Sequence, residues 1–243
     1  MFTRLTLDLV EQMRNDGVSF VFNTPNDQSR PGYLKMGWSD VARVPVSIRP
    51  MRPVNMVRKK LAGADEVGEV AASAMHGIDL IDDLCAETGL PDFLNGLHNG
   101  ESRYHTGRTV EYLRWRYGAI PGFDYRARSR IVGGVGAVVV YRHRTRDRMS
   151  ELSFAEVLVS PGGEGIRLGA QLLREVMRES PADYAAACAA KGTGERGALL
   201  RAGFLPVGLP GPRFTVNPLQ AQLTPDPLAW PSWRTSVGDL ELF

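Results

Sequence analysis

Only two cysteines, Cys85 and Cys188, occur in the 243 residues, far apart and without metal or redox spacing. Their scarcity argues against a disulfide framework and suits a reducing compartment. Histidine is nearly as rare. His76, His98, His105 and His143 are scattered, and no pair has the helical spacing of metal ligands. No G-x-S-x-G elbow is present, which argues against serine-hydrolase chemistry. No run of 18 apolar residues exists, so no membrane span is expected. Met1 leads into an amphipathic pattern rather than the basic segment and apolar run of a signal peptide. A cytoplasmic protein is therefore expected. The net charge of +2 is too small a field to argue for nucleic acid.

What is present is ordinary for a globular protein: 43% hydrophobic and 23% charged residues, enough for one large domain or two small ones. The charge is uneven. Residues 61–100 hold eight acids and no Lys or Arg, whereas 101–148 hold eleven Arg against four acids. Residues 2–15 place Phe2, Leu5, Leu9, Val10 and Met13 at helical spacing, and Asp16-Gly17 is a good stop. Val18–Phe22 is apolar on both faces, as a central strand is. Ser29 is a candidate cap for a short helix with Pro31 in its first turn, closed by Gly37. Residues 41–49 alternate as a strand. From Pro53 to about Arg108 the pattern reads as an acidic helical connector.

A second α/β unit follows. Residues 109–118 look helical. Two long strands are expected in 131–160, joined near Asp147, then a helix over 166–179, a strand at 183–190 and a short helix, "GALLRAGF". The tail 221–243 reads as an irregular arm. An internal repeat is visible: helix, strand, polar loop and "GYLKMGW" in the first part, and helix, strand, polar loop and "GALLRAGF" in the second. Aligning Gly37 with Gly203 sets Lys35 opposite Arg201, Trp38 opposite Phe204 and Tyr33 opposite Leu199.

"GTGERG" at 192–197 matches G-x-G-x-x-G. Its helix is short, and no acid stands between Glu195 and Asp226 to meet a ribose, so a dinucleotide site is rejected. "GGVG" at 133–136 precedes its strand, which suits relief of crowding better than a phosphate loop. The row Arg142, Arg144, Arg146 and Arg148 reads as a solvated or charge-guarded strand face, with phosphate contact as the sharper alternative. The stretch 23–38 carries more. Asn23 and Ser29 bracket a polar loop at the carboxyl end of a buried strand, where open α/β sheets bind ligands. Tyr33 follows one helical turn later on the same face as Ser29, and a phenol there can hand a proton to a leaving group. The same residues also fit a plain helix cap and a packing tyrosine.

The run "VSFVF", Asn23, a short loop, Ser29 and "YLKMGW" resembles the late part of the GCN5-related N-acetyltransferase fold. "NTPNDQSRPGYLKMGW" is similar to a bacterial tandem subgroup with two such units, and the closing "W…GDLELF" fits weakly. The resemblance implies an α/β acyl-CoA N-acyltransferase fold. Residues 1–52 would be the C-terminal part of one unit, 53–108 a helical connector, 109–220 a fuller but degenerate second unit, and 221–243 the arm. It implies transfer of an acyl group, usually acetyl, from acetyl-CoA as co-substrate to an unidentified amine, with no metal. Tyr33 would protonate the departing thiolate, and Asn23, Asn26 and Ser29 would lie beside the CoA arm. The family's R/Q-x-x-G-x-G/A pyrophosphate loop would fall before Met1, so a shortened first unit is expected. The equivalent "VSPGGEGIRLG" at 159–169 has Pro161 where Arg or Gln stands in the family, and Glu164 would repel phosphate. A non-catalytic binding or assembly module is the alternative. An unpaired 18–22 edge would invite association, including a homo-oligomer.

Overall fold

The computed structural model describes residues 2–61, 80–97, 99–118, 120, 122–146 and 148–240. The chain opens with helix α1 (Phe2–Asn15), strand β1 (Phe20–Asn23), the short helix α2 (Arg30–Lys35) and the long strand β2 (Ser39–Pro50). The connector supplies α3 (Pro53–Leu61), α4 (Ile81–Cys85) and α5 (Leu90–Gly96); its residues 62–79 lie outside the described ones. Then come α6 (Val110–Leu113), a wide turn at Arg114–Gly118, and strands β3 (Arg126–Val132), β4 (Val135–Arg146) and β5 (Met149–Val159). Helix α7 (Gly163–Glu179), β6 (Tyr184–Cys188), α8 (Gly194–Arg201) and β7 (Leu205–Pro218) complete the regular structure, and residues 219–240 form an arm with one 3-10 turn. No described helix is long and apolar enough to cross a membrane.

All seven strands share one sheet in the order β1-β7-β2-β6-β5-β4-β3. Among these described strands only β5 and β6 run parallel. Strand β4 shows why its sequence is apolar without alternation. Ala137, Val139 and Tyr141 face the cluster under α7 and α8, while Val138 and Val140 face that of α4, α5 and α6. Helices cover both faces there, so both faces must be apolar. Three strands, not two, occupy 126–159. Gly133 and Gly134, with φ of 58° and 79°, form the two-residue hairpin turn between β3 and β4. The crowding argument for "GGVG" holds only at Gly136, where a Cβ would sit 2.5 Å from the Arg130 carbonyl oxygen.

The order α1-β1-α2-β2 recurs as α7-β6-α8-β7, and the two copies exchange their last strands. β2 pairs with β6, and β7 pairs with β1, both antiparallel; β2 and β7 pair with each other between them. The Gly37–Gly203 alignment holds in backbone detail. Both glycines are left-handed, at φ 103° and 86°. The Trp38 N–H donates to the Tyr33 carbonyl at 3.1 Å, and the Phe204 N–H to that of Leu199 at 3.0 Å. The hydrogen-bond pattern of a helix ended by a left-handed glycine thus repeats.

The copies differ in what covers them. The apolar face of α7 (Leu168, Leu172, Leu173, Val176) is buried against the sheet. On α1, Val10 is buried but Leu5 and Leu9 are 59% and 51% exposed. Strand β1 ends the sheet, so one of its edges has no strand partner among the described residues. Such edges associate. The double substitution Leu5→Glu, Leu9→Lys should suppress concentration-dependent self-association in sedimentation while shifting stability by less than about 0.5 kcal/mol, as exposed-site changes do. Unchanged association would place the contact elsewhere.

Candidate functional site

The polar loop after β1 is organised by Asn26. Its side-chain oxygen accepts from the backbone N–H of Gln28 at 3.1 Å, from that of Ser29 at 2.8 Å, and from the Ser29 hydroxyl at 3.0 Å. Ser29 itself makes no side-chain cap bond to α2, contrary to the capping reading. Asn26 comes first and closes the turn as an Asx residue, leaving the serine to serve it. Asn23 points across the sheet, where its carboxamide oxygen accepts from the Thr215 hydroxyl of β7. The structure therefore joins Asn26 and Ser29 and holds Asn23 against a different strand.

Tyr33 is half-buried one turn into α2. Its ring meets Phe2, the first residue of α1, edge to face at 5.6 Å, and Trp38 at 5.2 Å. Val21 of β1 packs in the same cluster, so Tyr33 belongs to the α1 face of the sheet. Nearby, Arg30 forks onto Asp40, and that hydrogen-bonded guanidinium holds the Asp40 carboxyl below its ordinary range. Leu199, the counterpart of Tyr33, is fully buried in the α7–α8 core. At the start of α7, Glu164 is ion-paired with Arg167 at 2.5 Å.

The opposite face of β1 carries Phe20 and Phe22, because neighbouring residues of a strand alternate. Phe20 lies 4.7 Å from the Tyr104 ring and 5.1 Å from Trp233 of the arm, and Phe22 lies 5.4 Å from Trp233. Beside these rings opens a cavity of about 310 Å³.

The arm then runs into the sheet. Strands β5 and β6 pair only from Glu151↔Tyr184 to Phe154↔Ala187. Opposite β4, the register of β5 shifts between Phe154 and Glu156, a bulge that leaves Ala155 as the extra residue. The freed Ala155 carbonyl accepts the Gly238 N–H at 2.9 Å. Around it lies a buried ion cluster. Arg108 reaches Glu156 at 3.0 Å and Asp239 at 2.8 Å, and the Tyr117 hydroxyl donates to Glu156 at 2.7 Å. The Arg116 guanidinium donates to the Gly238 carbonyl at 3.0 Å. Burial pushes the Glu156 carboxyl up, against the pull of Arg108. Burial also works against the charge on Arg108, yet Glu156 and Asp239 raise it above its usual value. Cys188, beside the arm, is pushed by burial up to about 12, so it is no thiolate nucleophile. None of these partners stands out in the sequence: Arg108 and Asp239 are 131 positions apart.

Glu101 supplies a pH probe of this region. The Arg103 guanidinium, bonded at 2.7 and 2.8 Å, holds it down to about 2, from an ordinary 4.5. A depressed carboxyl contributes stability above its unfolded pKa and loses it as pH falls through the folded one. Stability should drop by about 1 kcal/mol, after solvent screening, between pH 4.5 and 2. Denaturation curves of Glu101→Gln against pH should lack that increment.

Two of the four arginines in the row are already engaged, and Arg146 and Arg148 are exposed, as on a solvated face. Arg144 pairs with buried Glu151 at 2.7 Å, and Arg142 lies over the Phe123 and Tyr125 rings at 4.6 and 5.2 Å. Among the described residues, no three His, Cys, Asp or Glu side chains gather as a metal site needs.

No known family model matches the chain, and no curated protein does. Among solved structures, a GCN5-related N-acetyltransferase from Anabaena variabilis ATCC 29413 is similar, with a TM-score of 0.51 at 8% identity. The match covers 90% of this chain and 50% of that one, so the chain spans half the length of its structural neighbour. At that identity the likeness concerns architecture: the chain has a mixed α/β, acyl-CoA N-acyltransferase-like fold.

Proposed function

We propose that the chain is an acyl-CoA-dependent N-acyltransferase that works on the α1 face of β1. The observation that carries the reading is Tyr33, held between Phe2 at the start of α1 and Trp38 just before β2, within this fold. In the proposed reaction an unprotonated amine attacks the thioester carbonyl carbon of acetyl-CoA. A C–N bond forms, the C–S bond breaks, and the thiolate takes the Tyr33 hydroxyl proton while the amine loses its own to water. Asn23, Asn26 and Ser29 would lie along the CoA arm. The Asn26 oxygen is occupied by the loop, which leaves its NH₂ as the donor.

The second copy is not offered as a catalyst. Leu199 has no proton to give, and the arm fills the gap between β5 and β6. Residues 109–220 would act as a degenerate partner for 1–52, completing its sheet. Calorimetric titration with acetyl-CoA, and CoA release with a panel of primary amines, tests the proposal. Binding heat with amine-dependent thiol release is expected. No heat would overturn it and leave a binding or assembly role for the fold.

A further inference from the structure

Helix α3 is packed inside out. It follows β2 closely, and its polar side chains face the protein. The Asn55 carboxamide donates to one oxygen of buried Asp183 at 2.6 Å, and the Lys59 ammonium donates to the other at 2.7 Å. The Met51 and Arg52 N–H groups donate to the Asp183 carbonyl at 2.8 and 2.9 Å, which fixes the approach to the helix as well. The apolar side chains are left outside. Val54, Val57 and Leu61 are 82%, 58% and 81% exposed, and no residue of α3 is buried. At about 3.6 residues per turn, Leu61 falls between Val57 and Val54, so the three form one stripe. Arg58 runs along one side of it and Lys60 along the other. Exposed aliphatic residues scattered singly need no explanation; three in one stripe on an anchored helix do.

The β4–β5 hairpin stands beside this helix. The Ser150 N–H donates at 2.8 Å to the Asp183 oxygen that Lys59 also meets, and Arg146 pairs with Met149 at the hairpin tip. Arg52, Arg58, Lys60, Arg146 and Arg148 are all exposed. Residues 52–60 and 144–151 hold seven Lys and Arg, against which stand three carboxylates: Asp147, Glu151 and Asp183. Glu151 and Asp183 are engaged internally, by Arg144 and Lys59. The acids that follow α3 in the chain begin at Asp65. The patch thus has an aliphatic centre and a cationic rim. Nucleic-acid surfaces add rings that stack on bases, and neither segment contains an aromatic residue. A bilayer with anionic headgroups suits both parts. Aliphatic side chains enter the acyl boundary, and flanking Lys and Arg reach back to the phosphates.

We infer that α3 and the β4–β5 hairpin dock this protein on an anionic lipid surface, with Val54, Val57 and Leu61 entering it and Arg58 and Lys60 meeting headgroup phosphates. Helix α2 precedes β2 and α3 follows it, so the docking face lies at the other end of that strand from Tyr33. It needs no acyl-CoA and stands apart from the acyl-transfer proposal.

The test is sedimentation of the full chain with sucrose-loaded vesicles, of phosphatidylcholine alone or with about one third phosphatidylglycerol. Binding to the mixed vesicles is expected to be at least about tenfold tighter and to weaken as salt is raised. Arg58→Glu, Lys60→Glu should weaken it at least about thirtyfold. Val57→Ser, Leu61→Ser changes no charge and should still weaken it about tenfold, through lost apolar burial. These positions are exposed, so the melting temperature should hold in both variants. In Leu61→Trp, the emission should shift to the blue on the mixed vesicles, a shift that the parent chain lacks. Equal binding to both vesicles, no binding at millimolar lipid, or a serine variant that binds like the parent would each overturn the lipid surface. Duplex DNA bound equally by the parent and the serine variant, but not by the glutamate variant, would make nucleic acid the occupant instead.

Discussion

Replacing Arg108 by Met is expected to cost about 3–5 kcal/mol of stability, the penalty for stripping a buried charge cluster of its cation. Arg108, Glu156 and Asp239 are all buried. Met keeps much of the volume, so the loss is electrostatic rather than a cavity effect. Without the guanidinium, two carboxyls face each other in a site that already pushes Glu156 upward. Their folded pKa values would then exceed the unfolded ones. That arrangement is stable below the unfolded pKa and loses stability as pH rises through the folded pKa. The deficit of the variant should therefore shrink as pH falls toward 4. Urea denaturation followed by the fluorescence of Trp233, which the arm carries, measures both effects. The triple variant Arg108→Met, Glu156→Gln, Asp239→Asn should recover part of the loss, since neutral groups are cheaper to bury. A single variant within 1 kcal/mol of the parent would show that solvent reaches the cluster.

Tyr33→Phe should lower the kcat of acetyl transfer by about 10²-fold or more, the usual contribution of a positioned general acid. Phe keeps the ring that packs on Phe2 and Trp38, so the melting temperature should hold. The KM for acetyl-CoA should move less than about threefold, because in the proposed reaction the proton is transferred after binding. Full activity in this variant would remove Tyr33 from the chemistry even if acetyl-CoA binds.

Several elements were legible because local punctuation decides them. Asp16-Gly17 and Gly37-Trp38 ended α1 and α2 where the sequence said. Strand β7 was not legible. Pro206, Pro210, Pro212, Gly208 and Gly211 are residues that strands disfavour, yet β2 alongside supplies a ladder with register shifts that tolerates them. Strand β3 was hidden by its arginines. Arg128 and Arg130 suit an edge strand because Glu179 and Glu175 of α7 meet them at 2.8 and 3.2 Å. Of the candidate site, the Asn26–Ser29–Tyr33 segment could be read in order along the chain. The arm's entry beside Ala155 could not, because it depends on a bulge and on pairs made between distant residues.

The exchange of β2 and β7 also sets a timetable for synthesis. The first 50 residues leave the ribosome with two strands that pair only with β6 and β7, the last pairing ending at Pro218. At roughly 5–20 residues per second, that wait lasts about 10–30 s. For that interval "VSFVF" and the leucines of α1 are nascent, unpaired and apolar, and holding them apart from other chains is work for a chaperone.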